Sequence, residues 1–349
     1  MSSPASTSKR SIEFAPRLAS LISDYSGQDV FRLEPDTVGI AEPEIIDRIL
    51  AARRALETER PTFKPLHGRS ISRAEASSVT RTIANDVRHA LRDAPPKETD
   101  LSGSWPLTGH LFLRDLILGT DPFRLRLLMS RYLELTPKLT WSVIAVGAAL
   151  PGWPRASDNG ITRLAARAAE ATSYQDRRYA MGMYRRAAAP VCFTVSTLVS
   201  NALWLGAPFD DAMPNRNIIL ESLRLLPPSW NILRNASPEY PSIDSRIGAG
   251  DDVLVLPLLS HRDPALWEEP ESFRPARWHD LDPDNVSGYL PFGHSSERCW
   301  GRHMVMPLAE LLLQHVRRSR LMVDPEQKTG KVPLLGLLGV EDVRMVKPA

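Results

Sequence analysis

Four groups of residues follow one another between Glu221 and Gly301, and their order constrains the fold more than any other feature of the chain. Glu221 and Arg224 stand one helical turn apart. The second group is Arg224–Pro228 with Leu233–Ala236, and the third runs from His261 to Trp278. Phe292–Gly301 then carries a single cysteine between two glycines. The Glu221–Arg224 pair alone would suggest an exposed ion pair worth roughly 0.2–0.5 kcal/mol. All four groups in sequence predict a shared, specialised site.

The length of the chain allows one large domain or two ordinary ones, and because no boundary in the sequence looks like a linker we expect a single domain over residues 1–349. The chain has 349 residues, 43% of them hydrophobic, and a formal net charge of +2. This charge suggests neither nucleic acid nor a membrane as a partner. Two distant cysteines fit a reducing compartment, and the start of the chain does not resemble a signal peptide. We therefore expect a cytoplasmic protein.

Hydrophobic periodicity predicts a mainly α protein with small β-sheets. Residues 1–26 are polar and then weakly helical, so we expect a loosely ordered N-terminal segment. Residues 57–70 are predicted to be a loop, and residues 177–206 one long helix broken only by Pro190. The other predicted strands are two around Pro35-Asp36 and one at Val253–Leu256. A helix is predicted to follow a cap at Ser72–Glu75, with Val79, Ile83, Val87 and Leu91 along one face. Further helices are predicted from Pro43, over Leu111–Leu118, Arg124–Leu135 and Ile161–Ala171, and from Cys299 towards Arg320, where Pro307 kinks or restarts the helix.

Residues 217–310 resemble the cytochrome P450 family. Its E-x-x-R motif is matched by Glu221 and Arg224, and its P-x-R-F segment by Pro275–Trp278. Its F-x-x-G-x-R/H-x-C-x-G loop is matched at Phe292, Cys299 and Gly301. The resemblance implies the cytochrome P450 fold and haem b (iron protoporphyrin IX), with Cys299 as the axial iron ligand. A thiolate ligand donates electron density to the iron and favours O–O cleavage.

The resemblance also implies roles for residues around the cysteine. Phe292 would shield the sulfur, and Gly301 would give the backbone room beside the porphyrin. Glu221, Arg224 and Arg277 resemble a buried ion triad beneath the haem. The resemblance places Arg234 at a haem propionate. Arg298 stands next to Glu297, which occupies the family's Arg or His position, so Arg298 could supply that propionate contact instead. Cys192, in an apolar segment, is expected to be a core residue.

Three departures from the family pattern bear on the reaction. Ser295 replaces the loop glycine, and Glu297 stands where Arg or His is usual. In the oxygen-activating helix Thr194 takes the alcohol position, but Phe193 replaces the acid that would relay protons. The family's W-x-x-x-R helix has no clear counterpart between Arg60 and Arg92.

Three functions follow from these observations. The first is a monooxygenase acting on a small organic substrate, such as a biosynthetic intermediate, with O2 and electrons from a ferredoxin and ferredoxin reductase. Four arginines that could attract such an acidic partner are Arg298, Arg302, Arg317 and Arg318. The second is a P450 that does not activate O2: a peroxygenase, isomerase, lyase or cyclase. The third is a haem-binding protein without catalysis.

Overall fold

A computed structural model describes residues 10–52, 63–66, 69–71, 78, 81, 85, 88–89, 100–118, 127–130, 137–150, 173–183, 185, 189–294, 298–299, 301–334 and 336–348. The α-helices are α1 Pro16–Tyr25, α2 Pro43–Ala52, α3 Leu107–Leu118, α4 Pro137–Ala149, α5 Tyr174–Met183, α6 Ala189–Gly206, α7 Asn215–Leu225, α8 Tyr240–Ile243, α9 Pro257–Ser260 and α10 Arg302–Arg318. A 3₁₀-helix spans Pro275–His279. The strands are β1 Ser11–Phe14, β2 Val30–Glu34, β3 Thr37–Ile40, β4 Phe63–Leu66, β5 Arg69–Ile71, β6 Gly103–Trp105, β7 Ile232–Arg234, β8 Asp252–Val255, β9 Met322–Val323, β10 Thr329–Val332 and β11 Val343–Val346. The predicted class, mainly α with small sheets, is confirmed.

The largest sheet lies beside the cavity described below. Its strand order is β2-β3-β8-β7, with β3 and β8 parallel and the other neighbours antiparallel. The two strands predicted around Pro35-Asp36 are β2 and β3, and the strand predicted at Val253 is β8. One apolar side of α2, with Ile46 and Ile49 fully buried, packs in the same core as Val253. This small core fixes β7, whose last residue is Arg234.

Several short strands were not predicted. Residues 11–25, expected to be loosely ordered, form β1 and α1, and β1 pairs in parallel with β10 near the other end of the chain. The loop predicted at 57–70 is wrong where β4 and β5 form an antiparallel pair. Both cases depend on partners or turns that local periodicity does not reveal.

The main core surrounds α6, which packs against α3, α7 and α10. The predicted helix over 177–206 contains the end of α5 and all of α6, and Pro190 is the second described residue of α6; residues 184 and 186–188 lie outside the described part of the chain. Pro307 lies inside α10, which continues to Arg318.

Some predictions fall on residues that the structure does not describe. These include the Ser72–Glu75 cap with the apolar face after it, Ile161–Ala171 and most of Arg124–Leu135. The region searched for a W-x-x-x-R helix also lies largely outside the described residues. Among the described helices, none is both long and apolar enough to cross a membrane.

Candidate active site

Glu221 is the centre of a buried charge network. It lies in α7 with no exposed surface, and its carboxylate accepts two hydrogen bonds from Arg224, at 2.8 and 3.2 Å. The Nε of Arg277 donates to it at 3.2 Å. Trp278 Nε1 and the backbone N–H of Arg274 also donate, at 2.9 and 3.0 Å. The structure therefore brings together the three residues of the expected ion triad.

Arg224 uses its remaining donors on backbone carbonyls. Its Nη1 donates to the carbonyls of His261 and Pro270, both at 2.7 Å, and its Nη2 donates to Ser272 at 3.1 Å. Its guanidinium carbon also lies 5.1 Å from the centre of the Trp267 ring. Because a buried charge is tolerated only when it is paired and hydrogen-bonded, these contacts explain how α7 can bury Arg224 completely.

The segment that carries Cys299 starts beside this network. Gly293 has a positive φ of 79°, a backbone conformation that suits glycine, and its N–H donates to Leu290. The N–H of Cys299 donates to the carbonyl of Phe292 at 2.8 Å. His294 Nε2 lies 3.1 Å from Asp47 Oδ1 in α2, so the loop also contacts the smaller core. Ser295–Glu297 lie outside the described residues.

A cavity of about 390 Å³ separates this segment from α6. Cys299 is exposed and lines it, and Thr194 lines it from α6. A Cβ at Gly301 would lie 3.5 Å from the Cys299 sulfur, so the glycine leaves space beside the thiol. The described residues that line it are Thr194, Leu223, Pro228, Ser229, Ile232, Arg234, Leu290, Pro291, Phe292, Gly293, His294, Cys299, Gly301, Met304, Val305 and Leu337.

Strand β7 places Arg234 on the cavity wall. Ile232 and Arg234 both line the cavity, whereas Leu233 between them is 55% exposed. This alternation follows from the two-residue period of a strand. Pairing of Arg234 with Val253 in β8 fixes the register. Arg234 is thus the arginine that the structure places on the cavity.

Phe193 faces away from the cavity lining. Its ring is 2% exposed and stacks on His110 with centroids 4.8 Å apart and planes 6° from parallel. The guanidinium carbon of Arg185 lies 5.1 Å from the centre of the same ring. Cys192, the preceding residue, is fully buried, and burial raises the pKa of its thiol. Phe193 and Cys192 therefore pack into the core behind Thr194.

The four arginines singled out for an acidic partner do not share one environment. Arg298 pairs with Asp284, and Arg298 and Arg302 line a separate surface cleft of about 570 Å³. Arg317 instead donates to Asn215 Oδ1 and to the backbone carbonyls of Met213, Asp210 and Asp211. Arg298 is absent from the cavity lining given above. The structure thus separates it from Arg234, although the sequence paired the two as propionate contacts.

Sequence reasoning gave no role to three buried or contacting side chains. Trp278 and His261 occur in the motifs, but the patterns do not show that Trp278 reaches Glu221 or that His261 contacts Leu290. Asn201 in α6 accepts from Val340 N–H and donates to the carbonyls of Leu226 and Leu338. An amide side chain in a helix whose other residues are apolar, small or hydroxyl-bearing was the available signal for Asn201.

Comparison with known proteins assigns this arrangement to one family. Residues 215–338 match the family model "Cytochrome P450". Cyclooctatin synthase of Streptomyces melanosporofaciens is 35% identical over 125 residues, which are 35% of this chain and 27% of that protein. Cyclooctat-9-en-7-ol 5-monooxygenase of the same organism is 37% identical over 100 residues, 28% of this chain and 21% of that protein. The matched part therefore spans about a quarter of these curated relatives.

The fold likeness extends much further along the chain. A mutant of P450 EryK in complex with erythromycin B superposes with a TM-score of 0.55 at 18% identity. The match covers 95% of each chain, so it includes α1 to α6 as well as the motif-bearing region. At this identity the likeness shows the fold alone. The matched family model and the P450 relatives show that residues 215–338 belong to the cytochrome P450 family, and the structural match shows the cytochrome P450 fold over most of the chain.

Proposed function

We propose that the chain is a haem-thiolate monooxygenase that binds haem b between α6 and the Cys299 segment and oxidises a small organic molecule. The observation that carries this proposal is the shared cavity: a cysteine sulfur lines one side and a threonine lines it from α6. A relative with monooxygenase in its name supports the reaction class. Two Streptomyces relatives named for cyclooctatin chemistry support a biosynthetic substrate.

The residues present fit a haem. A thiol is a known axial haem ligand, and Cys299 is exposed to the cavity, whereas Cys192 is fully buried. The walls are largely apolar, as a porphyrin face requires, with Leu223, Val305 and Leu337 among them. A guanidinium suits a carboxylate because it offers paired donors, so Arg234 would bind a propionate.

Each part of the site then has a defined task. Bound haem would supply the redox chemistry, with its potential and reactivity tuned by the thiolate. Phe292 lines the cavity together with Cys299 and would shield the sulfur from water, and its carbonyl accepts the N–H of Cys299. The Glu221 network fixes α7 beneath the segment. Thr194 Oγ1 would hold a water or a proton on the opposite wall.

Electrons would come from a separate acidic protein of the ferredoxin type. The surface cleft behind the Cys299 segment carries Arg216, Arg298 and Arg302 against Asp47 and Asp284. Burial and the neighbouring Arg302 lower the pKa of His303, so the arginines supply the positive charge there. A basic cleft attracts an acidic partner and speeds its association at low ionic strength. Arg317 donates hydrogen bonds to the backbone carbonyls of Met213 and Asp210 and does not line this cleft.

A second candidate is a P450 that does not activate O2. Phe193 favours it because a phenyl ring stands at the position of the relay acid, packed on His110. A peroxygenase, isomerase, lyase or cyclase would need no such acid.

Turnover with two oxidant supplies separates the candidates. The purified, haem-loaded protein is given O2 with a ferredoxin and its reductase, or peroxide alone, and product is measured for a panel of small organic substrates. The monooxygenase proposal predicts product with the reductase pair. Product with peroxide alone and none with O2 and reductant would overturn it in favour of the second candidate. Phe193→Asp would put a carboxylate at the position of the relay acid, with Arg185 beside it as a charge partner. If the monooxygenase proposal holds, this variant should increase the share of O2 that is converted to product.

A further inference from the structure

His261 is a fully buried histidine whose ring joins two backbone groups. Its Nδ1 lies 3.1 Å from the carbonyl oxygen of Arg224, and its Nε2 lies 2.8 Å from the backbone N of Leu290. It follows directly after α9 and has no exposed surface. The ring also lies against Tyr289, with centroids 5.1 Å apart.

The two partners fix the protonation of this ring. A backbone N–H can only donate, so Nε2 must accept from Leu290. A carbonyl can only accept, so Nδ1 must carry the proton and donate to Arg224. His261 is therefore the neutral Nδ1–H tautomer, and a second proton would place two N–H groups against each other.

The ring connects the end of one element to the start of another. The carbonyl of Arg224 belongs to the last turn of α7, where carbonyls lack intrahelical partners. Leu290 begins the turn closed by Gly293, and the next hydrogen bond in this segment joins Phe292 to Cys299. Leu290, Pro291 and Phe292 all line the cavity. The ring thus holds the segment before Cys299 against the helix that carries Glu221.

A second contact makes the connection reciprocal. The carbonyl of His261 accepts from Arg224 Nη1 at 2.7 Å while its ring donates back to the Arg224 carbonyl. His261 cannot shift without breaking a charge-assisted hydrogen bond of the buried network. Its position is therefore as firmly determined as that of Arg224.

We propose that His261 is a positioning residue that holds the Leu290–Phe292 segment, and through it Cys299, at the geometry needed for haem ligation. The last step, from segment to ligation, rests on the proposed function. The contact to Leu290 is the one that matters for this role, and the contact to Arg224 matters for α7. This division gives the proposal a specific test.

Two amide side chains separate the contacts. In His261→Gln the amide oxygen can reach the place of Nε2 and accept from Leu290, whereas the Arg224 contact is lost. In His261→Asn the amide nitrogen can take the place of Nδ1 and donate to Arg224, whereas Leu290 loses its acceptor. His261→Phe fills the space and makes neither contact. His315→Gln is the control, because His315 is buried in α10 and has Phe112 as an aromatic neighbour.

Two readouts follow the four variants of the full chain. The first is hydrogen exchange at the Leu290 amide, read by fragment mass spectrometry with and without haem. The second is the thiolate-type ferrous-carbonyl band of the haem-loaded protein. We expect exchange at Leu290 to rise roughly 10- to 100-fold in His261→Asn and His261→Phe, since a buried N–H loses its acceptor. In His261→Gln and His315→Gln the exchange rate at Leu290 should stay near that of the wild type. The thiolate band should likewise be kept in these two variants and weakened in His261→Asn and His261→Phe.

The proposal is overturned if His261→Asn keeps both readouts and His261→Gln loses them, or if Gln and Asn behave alike. This comparison holds even if His261→Phe does not fold. Failure of the proposed function gives a different pattern. The wild-type chain would then show no thiolate band, while exchange at Leu290 would still rank Gln above Asn in protection.

Discussion

The two sides of the cavity are built in opposite ways. On the α7 side, Glu221 receives five hydrogen bonds from Arg224, Arg277, Trp278 and the N–H of Arg274. On the α6 side, the residue before Thr194 is a phenylalanine packed in the core. A buried polar network tolerates little change, because each lost partner leaves an unsatisfied charge. The comparison suggests that ligation depends on the α7 side and the choice of reaction on the α6 side.

The largest expected effect is on the α7 side. In Glu221→Gln the two arginines lose their shared negative charge, which should lower the free energy of unfolding by about 3–5 kcal/mol. Denaturant unfolding monitored by circular dichroism measures it. Glu268→Gln is the matched control, because the Glu268 side chain is 79% exposed and pairs only at the surface with Arg274, so its effect should stay within about 0.5 kcal/mol. Equal losses of unfolding free energy in the two variants would show that the buried network contributes no more to stability than a surface ion pair.

A smaller effect is expected for the tryptophans beneath α7. Trp278→Phe removes a hydrogen bond to the charged Glu221, worth about 1.5–3 kcal/mol. Trp267→Phe removes one to the neutral carbonyl of Ser260, worth about 0.5–1.5 kcal/mol. Both lose the same volume, so the difference in unfolding free energy reports the charge at Glu221. A larger loss of unfolding free energy in Trp267→Phe than in Trp278→Phe would contradict the placement of Glu221 at the centre of the buried charge network.

The pH dependence of stability should also come from this side. Burial, followed by the charge of Arg224, lowers the pKa of His261 to about 3, against 6.5 in an ordinary environment. Below pH 6.5 His261 therefore binds a proton in the unfolded chain, whereas in the folded chain it stays neutral down to about pH 3. Stability should fall by about 1.4 kcal/mol per pH unit as the pH drops through this window. The wild-type minus His261→Gln difference isolates this contribution, and a difference that does not change between pH 7 and pH 5 would contradict it.

The smallest stability effect is expected on the α6 side. Thr194→Val removes one hydroxyl from the cavity wall and should change the free energy of unfolding by no more than about 0.5 kcal/mol. The ferrous-carbonyl band should be unchanged, whereas the share of O2 converted to product should fall. Loss of the thiolate band in Thr194→Val would contradict the view that haem ligation depends on the α7 side alone.

The two sides also differed in how far the sequence could predict them. The α7 side was predictable through the resemblance to the cytochrome P450 family, whose motifs are matched by Glu221, Arg224 and Arg277. The spacing of Glu221 and Arg224 alone would have suggested an exposed ion pair. The ring contacts of His261 and Trp278 were not predictable, because they depend on rotamers and distant backbone groups. The same holds for β1, which pairs with β10 near the other end of the chain.

On the α6 side the sequence predicted a helix over 177–206, and the described residues of that range lie in α5 and α6 apart from Arg185 between them. The start of α5 at Tyr174 was not predicted. The partners of Phe193, His110 and Arg185, come from α3 and from the residues just before α6, and a single sequence does not show such contacts. Arg298 was grouped with Arg234 for the same reason, although Asp284 holds it at the surface cleft.

The central claim is that Cys299 binds the haem iron, and the chain offers its own control because Cys192 is the other cysteine and is buried. The direct measurement is the ferrous-carbonyl spectrum of the haem-loaded wild type, Cys299→Ser and Cys192→Ala. We expect the thiolate-type band in the wild type and in Cys192→Ala, and its loss in Cys299→Ser. An unchanged spectrum in Cys299→Ser would contradict the account.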